Sequence, residues 1–325
     1  MTTSEEFRGG LDAVLAAYER IRNVVHRTPV FTCRAINEQC SATVFFKCEN
    51  FQRVGAFKFR GASYAVLSLA DEEAVRGVVT HSSGNHAAAL ALAARIRSIP
   101  AYIVMPRNAP AIKRQAVENY GGQITECEPT QEAREIACRE LMHRTGATLI
   151  HPYDDPRVIA GQGTVALEFL QDVPDLDVLI APVGGGGLLS GTALAGHGLK
   201  PGIRIIGAEP RLADDAAESL RRGQIVPARP PVTIADGLRT SLGKLTFAIL
   251  RQHVEAIALA DEEEIVAAQR LIMERMKIVV EPSAAVPLAA LLFRPLGLQG
   301  LRVGIILSGG NVDLSPLFAR GDAQS

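Results

Sequence analysis

An excess of charge of either sign is missing from this sequence. Its 34 Lys and Arg residues stand against 35 Asp and Glu, with 7 His, for a formal charge of −1. No basic excess marks a nucleic-acid surface. No apolar run reaches the roughly 20 residues of a membrane-spanning helix, and the alanine-rich stretch 87–94 ends at Arg95. The five cysteines, Cys33, Cys40, Cys48, Cys127 and Cys138, form no CxxC pair and show no zinc-type spacing to histidine. Cys33 and Cys40 are expected to be ordinary thiols of a reducing cytosol. The N-terminus is acidic and lacks an apolar signal-peptide core. No low-complexity segment, charge block or internal repeat is present.

What is there is a 325-residue chain, long enough for one large or two ordinary α/β domains. Apolar strand-like runs at 44–47, 77–80, 101–105, 123–126, 148–151, 178–183, 203–208 and 303–307 alternate with helical spacing. Helices are expected at 11–25, 85–97, 110–120, 131–144, 163–170, 188–197, 262–276 and 283–293. Alternation of this kind predicts parallel βαβ units. The continuous apolar strands predict a sheet covered on both faces. Ligands of such sheets sit at the carboxyl ends of the strands. Domain crossings are expected near residues 75 and 150.

The unusual loops fall at those strand ends. Lys58 lies between Phe57 and Phe59, after an apolar run and at the start of a helical pattern. Burial there would lower its pKa and make it a nucleophile; a snorkelling surface lysine is the competing reading. In His81-Ser82-Ser83-Gly84-Asn85-His86, hydroxyls and an amide meet a helix start whose free N–H groups can hold a carboxylate. Ser83 could exchange a proton there, although Ser and Asn are also ordinary caps. Gly184, Gly185, Gly186 and Gly187 precede a helix, an arrangement that lets backbone N–H groups approach a phosphate. A dinucleotide fingerprint competes, but Ser190 replaces its third glycine. Ser308-Gly309-Gly310-Asn311 closes the last strand, where Ser308 can be a neutral partner for a cofactor ring nitrogen. Glu209 and Asp215 can share a hard cation with a backbone carbonyl, or be solvated surface groups.

Together, Gly55-Ala56-Phe57-Lys58-Phe59-Arg60-Gly61-Ala62, Ser82-Ser83-Gly84-Asn85-His86, the four glycines and Ser308-Gly309-Gly310-Asn311 resemble the fold-type II pyridoxal phosphate enzymes. The branch they resemble holds serine racemase, threonine/serine ammonia-lyase and threo-3-hydroxyaspartate ammonia-lyase. Ala160-Gly161-Gln162-Gly163-Thr164, Ile234-Ala235-Asp236-Gly237 and Val280-Glu281-Pro282-Ser283 extend the similarity over nearly the whole chain. It implies an α/β fold of two open twisted parallel-sheet domains, tryptophan synthase beta-like, with the cofactor in the cleft between them. Residues 1–52 and 150–325 would form the large cofactor-binding domain, and 53–149 the small domain.

The resemblance further implies that Lys58 forms the imine with pyridoxal 5'-phosphate. The four glycines and the Leu188 amide would cradle its phosphate. Asn85 would bond the ring hydroxyl, Phe57 would pack on the ring, Ser308 would face the ring nitrogen, and Gly237 and Glu281 would line the pocket. Ser82, Ser83, Asn85 and His86 would hold the substrate carboxylate, with Arg134 nearby. Glu209, the Ala213 carbonyl and Asp215 match the branch's site for Mg2+ or Mn2+. A homodimer is the family expectation. Ala87-Ala88 stand where ATP-responsive racemases have Gly-Gln, and no C-terminal regulatory domain is expected.

The activity implied is β-elimination from an L-β-hydroxy amino acid (threonine, serine or threo-3-hydroxyaspartate) to a 2-oxo acid and ammonia. Lys58 would remove the α-proton; a proton delivered by Ser83 from the opposite face would give racemisation instead. The alternatives are serine racemase as main activity, a β-replacement synthase, a dinucleotide-dependent oxidoreductase and a non-catalytic cofactor-binding protein. Arg134 and the loop near Arg239 could favour a second carboxylate on the substrate.

Overall fold

The computed structural model describes residues 9–82, 84–109, 111–229 and 232–315. Among these residues, ten strands form two sheets. The strands are β1 Val30–Thr32, β2 Thr43–Cys48, β3 Val78–His81, β4 Ala101–Pro106, β5 Gln123–Cys127, β6 Thr148–Leu149, β7 Val178–Pro182, β8 Arg204–Pro210, β9 Ala256–Ala260 and β10 Arg302–Leu307. The larger sheet has the order β1-β2-β10-β7-β8-β9 and the smaller β5-β4-β3-β6. Every pairing is parallel except β1 with β2.

The helices are α1 Gly10–Ile21, α2 Arg34–Cys40, α3 Lys58–Leu67, α4 Asp71–Ala74, α5 Asn85–Arg97, α6 Ala111–Asn119, α7 Gln131–Thr145, α8 Pro156–Asp172, α9 Gly187–Leu199, α10 Asp215–Arg222, α11 Lys244–His253, α12 Glu262–Met276 and α13 Pro282–Phe293. The central strands β7 and β10 are buried along almost their whole length, as their unbroken Val, Leu and Ile runs require. One apolar core packs α12 and α13 against the larger sheet, and a second packs α8 and α9 on its other face. A third joins α3 and α5 to the smaller sheet.

Two edge strands escape the sequence pattern. β1 has three residues, mostly exposed, too few for a period of two to register. β9 is Ala-Ile-Ala-Leu-Ala, and alanine is a poor strand former. Helix α8 begins at Pro156, seven residues before the expected start at 163. Glycines hid that first half, and packing explains them. A Cβ on Gly161 would lie 2.7 Å from the Gly61 Cα, and one on Gly191 would lie 2.4 Å from the Gly163 nitrogen. Helices α3, α8 and α9 therefore meet backbone to backbone.

A buried ionic cluster fastens α3 to this frame. The Arg60 guanidinium donates in pairs to Glu49 (2.8 and 2.8 Å) and to Glu168 (2.9 and 2.8 Å). Lys47 lies 3.0 Å from Glu168, and the Thr28 hydroxyl donates to Glu49 at 2.6 Å. All four charged side chains are essentially inaccessible to water. Burial alone would lower the Arg60 pKa, yet the two carboxylates raise it. Two cations and two anions balance, which is what makes their burial tolerable. Removing one partner strands a charge in the core. Glu168→Gln is expected to cost about 3 kcal/mol or more of unfolding free energy, read as a lowered denaturant midpoint with an unchanged slope.

Candidate active site

The loops after β2, β3, β6, β7 and β10 converge at the carboxyl ends of their strands. The segment after β2 leads to Lys58 at the first position of α3, and the loop after β10 runs alongside it. The Phe57 N–H donates to the Ser308 carbonyl at 3.0 Å, Ala56 pairs with Gly309 in an isolated bridge, and the Gly310 N–H donates to Gly55 O at 2.9 Å. Lys58 Nζ donates to the Pro152 carbonyl at 2.7 Å and stands 5.2 Å from the centroid of the Phe57 ring. Burial lowers the Lys58 pKa to about 8, against a smaller opposing pull from the Glu281 charge. Near pH 7 roughly a tenth of the amine is thus neutral, far more than for an ordinary lysine.

The glycine loop after β7 is buried throughout and opens α9. The tyrosine of the 151–154 loop fills the space beside it. A Cβ on Gly185 would lie 2.3 Å from Tyr153 ring atoms, and Gly186 has a φ of +90°. The Thr246 hydroxyl donates to Gly185 O at 2.8 Å, and Asp154 accepts the Leu245 N–H at 2.9 Å, capping α11. Burial pushes the Tyr153 phenol up to about 12, and its side chain bonds Thr240. The first N–H groups of α9 have no intrahelical partner, so they and the helix dipole favour an anion here. Gly184 packs on Leu238, and the Gly237 N–H donates to Ser283 Oγ at 3.1 Å.

Asn85 opens α5 after β3. Its Nδ2 donates to both Glu281 oxygens at 3.1 Å, and its Oδ1 accepts from Asn311 Nδ2 at 2.9 Å. Glu281 is buried, and burial pushes its pKa up to about 7 despite the Asn85 hydrogen bond. Direct contacts thus join Phe57 to Lys58 and Ser308, Asn85 to Glu281, and Gly184 to the segment at Gly237. Ser83 lies outside the described residues. The His86 ring is buried: its Nε2 bonds the Ile150 carbonyl at 3.2 Å, and burial keeps it neutral. Arg134, at the start of α7, has a buried Nε without a hydrogen-bond partner. Arg239 spends its guanidinium on Thr233 O.

The sequence reading missed Tyr153, Thr246 and Asn311. The first two carry no periodic or motif signal. Asn311 sat inside a recognised motif, but its contacts depend on the chain 226 residues earlier.

Glu209 is the penultimate residue of β8, and its oxygens accept the Ala216 and Ala217 N–H groups at 2.9 Å, at the start of α10. Both Asp215 oxygens are buried and unpartnered. Burial raises both carboxyls, Asp215 to about 7. Among the described residues no group of three or more His, Cys, Asp or Glu could hold a metal ion.

Residues 21–309 match the family described as pyridoxal-phosphate dependent enzyme. The chain belongs to this family. It is 51% identical over 304 residues to a beta-hydroxyaspartate dehydratase of Paracoccus denitrificans, covering 94% of this chain and 96% of that protein. It is 49% identical over 319 residues to a serine racemase of Arabidopsis thaliana, covering 97% and 96%. The solved structure of maize serine racemase superposes with a TM-score of 0.93 at 48% identity, covering 95% of this chain and 96% of that one. The fold is that of the fold-type II members. A lysine with a depressed pKa and a glycine loop without side-chain obstruction fit the aldehyde and phosphate of pyridoxal phosphate.

Only the neutral amine attacks an aldehyde. Capture of pyridoxal phosphate by the apoprotein should therefore accelerate with pH up to about 8 and level above it. Glu281→Gln removes the charge that raises the Lys58 pKa, so it should move the inflection to lower pH. Stopped-flow absorbance measures both; an inflection at the ordinary lysine value of 10.5 would contradict the site's electrostatics.

Proposed function

We propose that this chain is a pyridoxal phosphate-dependent ammonia-lyase that eliminates water from an L-β-hydroxy amino acid, giving a 2-oxo acid and ammonia. The observation that carries this reading is the partly buried Lys58 amine, lowered to about 8, at the meeting point of the Ser308, Pro152 and Asn85 loops. When bound, the cofactor supplies an aldehyde for the substrate amine and a conjugated ring that spreads negative charge from the α-carbon.

The protein's residues would do the rest. Gly184, Gly185, Gly186, Gly187 and the Leu188 amide hold the phosphate at the positive end of α9. Phe57 packs on the ring, Asn85 bonds its hydroxyl, and Gly237 and Glu281 line its pocket. Lys58 Nζ, once free, takes the α-proton. Ser308 offers the ring nitrogen a neutral partner, which does not enforce ring protonation as an aspartate would. Ser82, Ser83, Asn85 and the His86 N–H hold the substrate carboxylate at the start of α5. The unpartnered Arg134 Nε and the similarity to a beta-hydroxyaspartate dehydratase favour a substrate with a second carboxylate, as in threo-3-hydroxyaspartate. The comparable identity to a serine racemase supports racemisation as a second activity, with Ser83 as the opposite-face acid.

Glu209, the Ala213 carbonyl and Asp215 would bind Mg2+ or Mn2+. The two unpartnered Asp215 oxygens support this, since buried carboxylate oxygens ordinarily have partners. A large domain of residues 1–52 and 150–325 and a small domain of 53–149 accord with the two sheets. A homodimer is supported by an exposed apolar pair at the sheet edge, where Phe31 and Phe51 stack edge to face. Five free cysteines accord with a cytoplasmic location. No helix among the described residues is long and apolar enough to cross a membrane.

Lys58→Ala should abolish both ammonia release and the visible band of the bound cofactor, assayed with L-serine, L-threonine and both 3-hydroxyaspartate diastereomers. Retained turnover would refute the lysine's role, and D-serine formation outpacing pyruvate would favour the racemase. Asp215→Asn should remove the dependence of thermal stability on added Mg2+, which differential scanning calorimetry with and without chelator would detect.

A further inference from the structure

Asn311 makes a set of contacts that no catalytic scheme above uses. Its Nδ2 donates to the Val54 carbonyl at 2.7 Å and to Asn85 Oδ1 at 2.9 Å, and its backbone N–H donates to Glu281 Oε2 at 3.2 Å. The two acceptors of Nδ2 belong to the turn before Lys58 and to the start of α5. The turn is strained. Val54 has φ 57° and ψ 11°, and Gly55 follows with φ +71°. A β-branched residue in the left-handed region is an outlier that persists only when its surroundings impose it. The Asn311 carboxamide lies against this turn, since a Cβ on Gly55 would fall 2.5 Å from its Oδ1.

The second consequence concerns the Asn85 amide. An amide's two ends are assigned by their partners. Glu281 alone would not settle Asn85, because a carboxyl poised near neutrality can accept a hydrogen bond or donate one. Val54 O can only accept. It therefore orients the Asn311 amide, whose other N–H orients Asn85 Oδ1, which leaves Asn85 Nδ2 for Glu281 and for the cofactor. We propose that Asn311 is a positioning residue for the cofactor site: it clamps the strained 54–55 turn that delivers Lys58 and locks the Asn85 amide with its N–H toward the ring oxygen. This assignment rests on the Asn85 role given above. A donor facing the ring oxygen favours its anionic form, with the proton on the adjacent imine nitrogen. A reversed amide would present an acceptor and keep the proton on the ring oxygen. The two forms absorb in the visible and the near ultraviolet respectively.

The holoenzymes of Asn311→Ala and Asn311→Asp test this by absorbance and cofactor titration. The aspartate fills the same space without an N–H, so it decides the matter if the alanine variant does not fold. At full cofactor loading, both should lose visible absorbance to the near-ultraviolet band. The cofactor Kd should rise about five- to tenfold, as expected for two hydrogen bonds at a partly exposed site. Adding Val54→Gly to Asn311→Ala should bring Kd back to within about twofold of the parent, because glycine adopts the turn without strain, while the band ratio stays shifted. An unchanged band ratio overturns the amide lock, and a Kd that Val54→Gly fails to restore overturns the clamp. If Lys58→Ala abolishes the visible band while the Asn311 variants match the parent, the positioning role of Asn311 fails and the proposed function stands. If the visible band survives Lys58→Ala, the underlying reading fails.

Discussion

The Lys58 amine is useful only while most water is kept from it, and that exclusion depends on loops from distant strands closing over one another. Its depressed pKa has desolvation as its main cause, with Glu281 pulling the other way. The closure is made of ordinary backbone bonds. Phe57 donates to Ser308, Gly310 donates to Gly55, and the amine donates to Pro152 O. Each ties a segment from the end of one strand to a segment from the end of another. A change that loosens any of them readmits water and returns the lysine toward its ordinary, protonated state.

Beneath this closure lies the ion cluster of Lys47, Glu49, Arg60 and Glu168. Arg60 is two residues from Lys58 on α3, and Glu49 directly follows the strand that leads to it. The cluster joins β2, α3 and α8 in one place. Buried ion pairs add little net stability compared with apolar packing, but their geometry is exacting. That accords with a role in fixing where α3 begins and hence where Lys58 stands. The glycine contacts among α3, α8 and α9 act in the same direction by bringing the backbones close.

Much of the site was legible from local residues because its chemistry needs particular residue types. Four consecutive glycines before a helix, a lysine between phenylalanines and a Ser-Gly-Asn helix start announce themselves without a structure. Tyr153 did not, since its part is to fill the space that Gly185 leaves, a relation between positions 32 apart in the chain. The direction of the His86 ring was not legible either: the fold buries it against Ile150 O.

Alternating apolar runs were enough to dictate parallel sheets with helices on both faces, because the period of a chain segment is set by its own side chains. They also placed the reactive loops at the strand ends. The strand order, the antiparallel β1 edge, the early start of α8 and the direction of the Asn85 amide all depended on contacts between segments far apart in the chain. Hydrogen-bond direction and close backbone approach are properties of pairs, so they exist only once the fold has brought both members together.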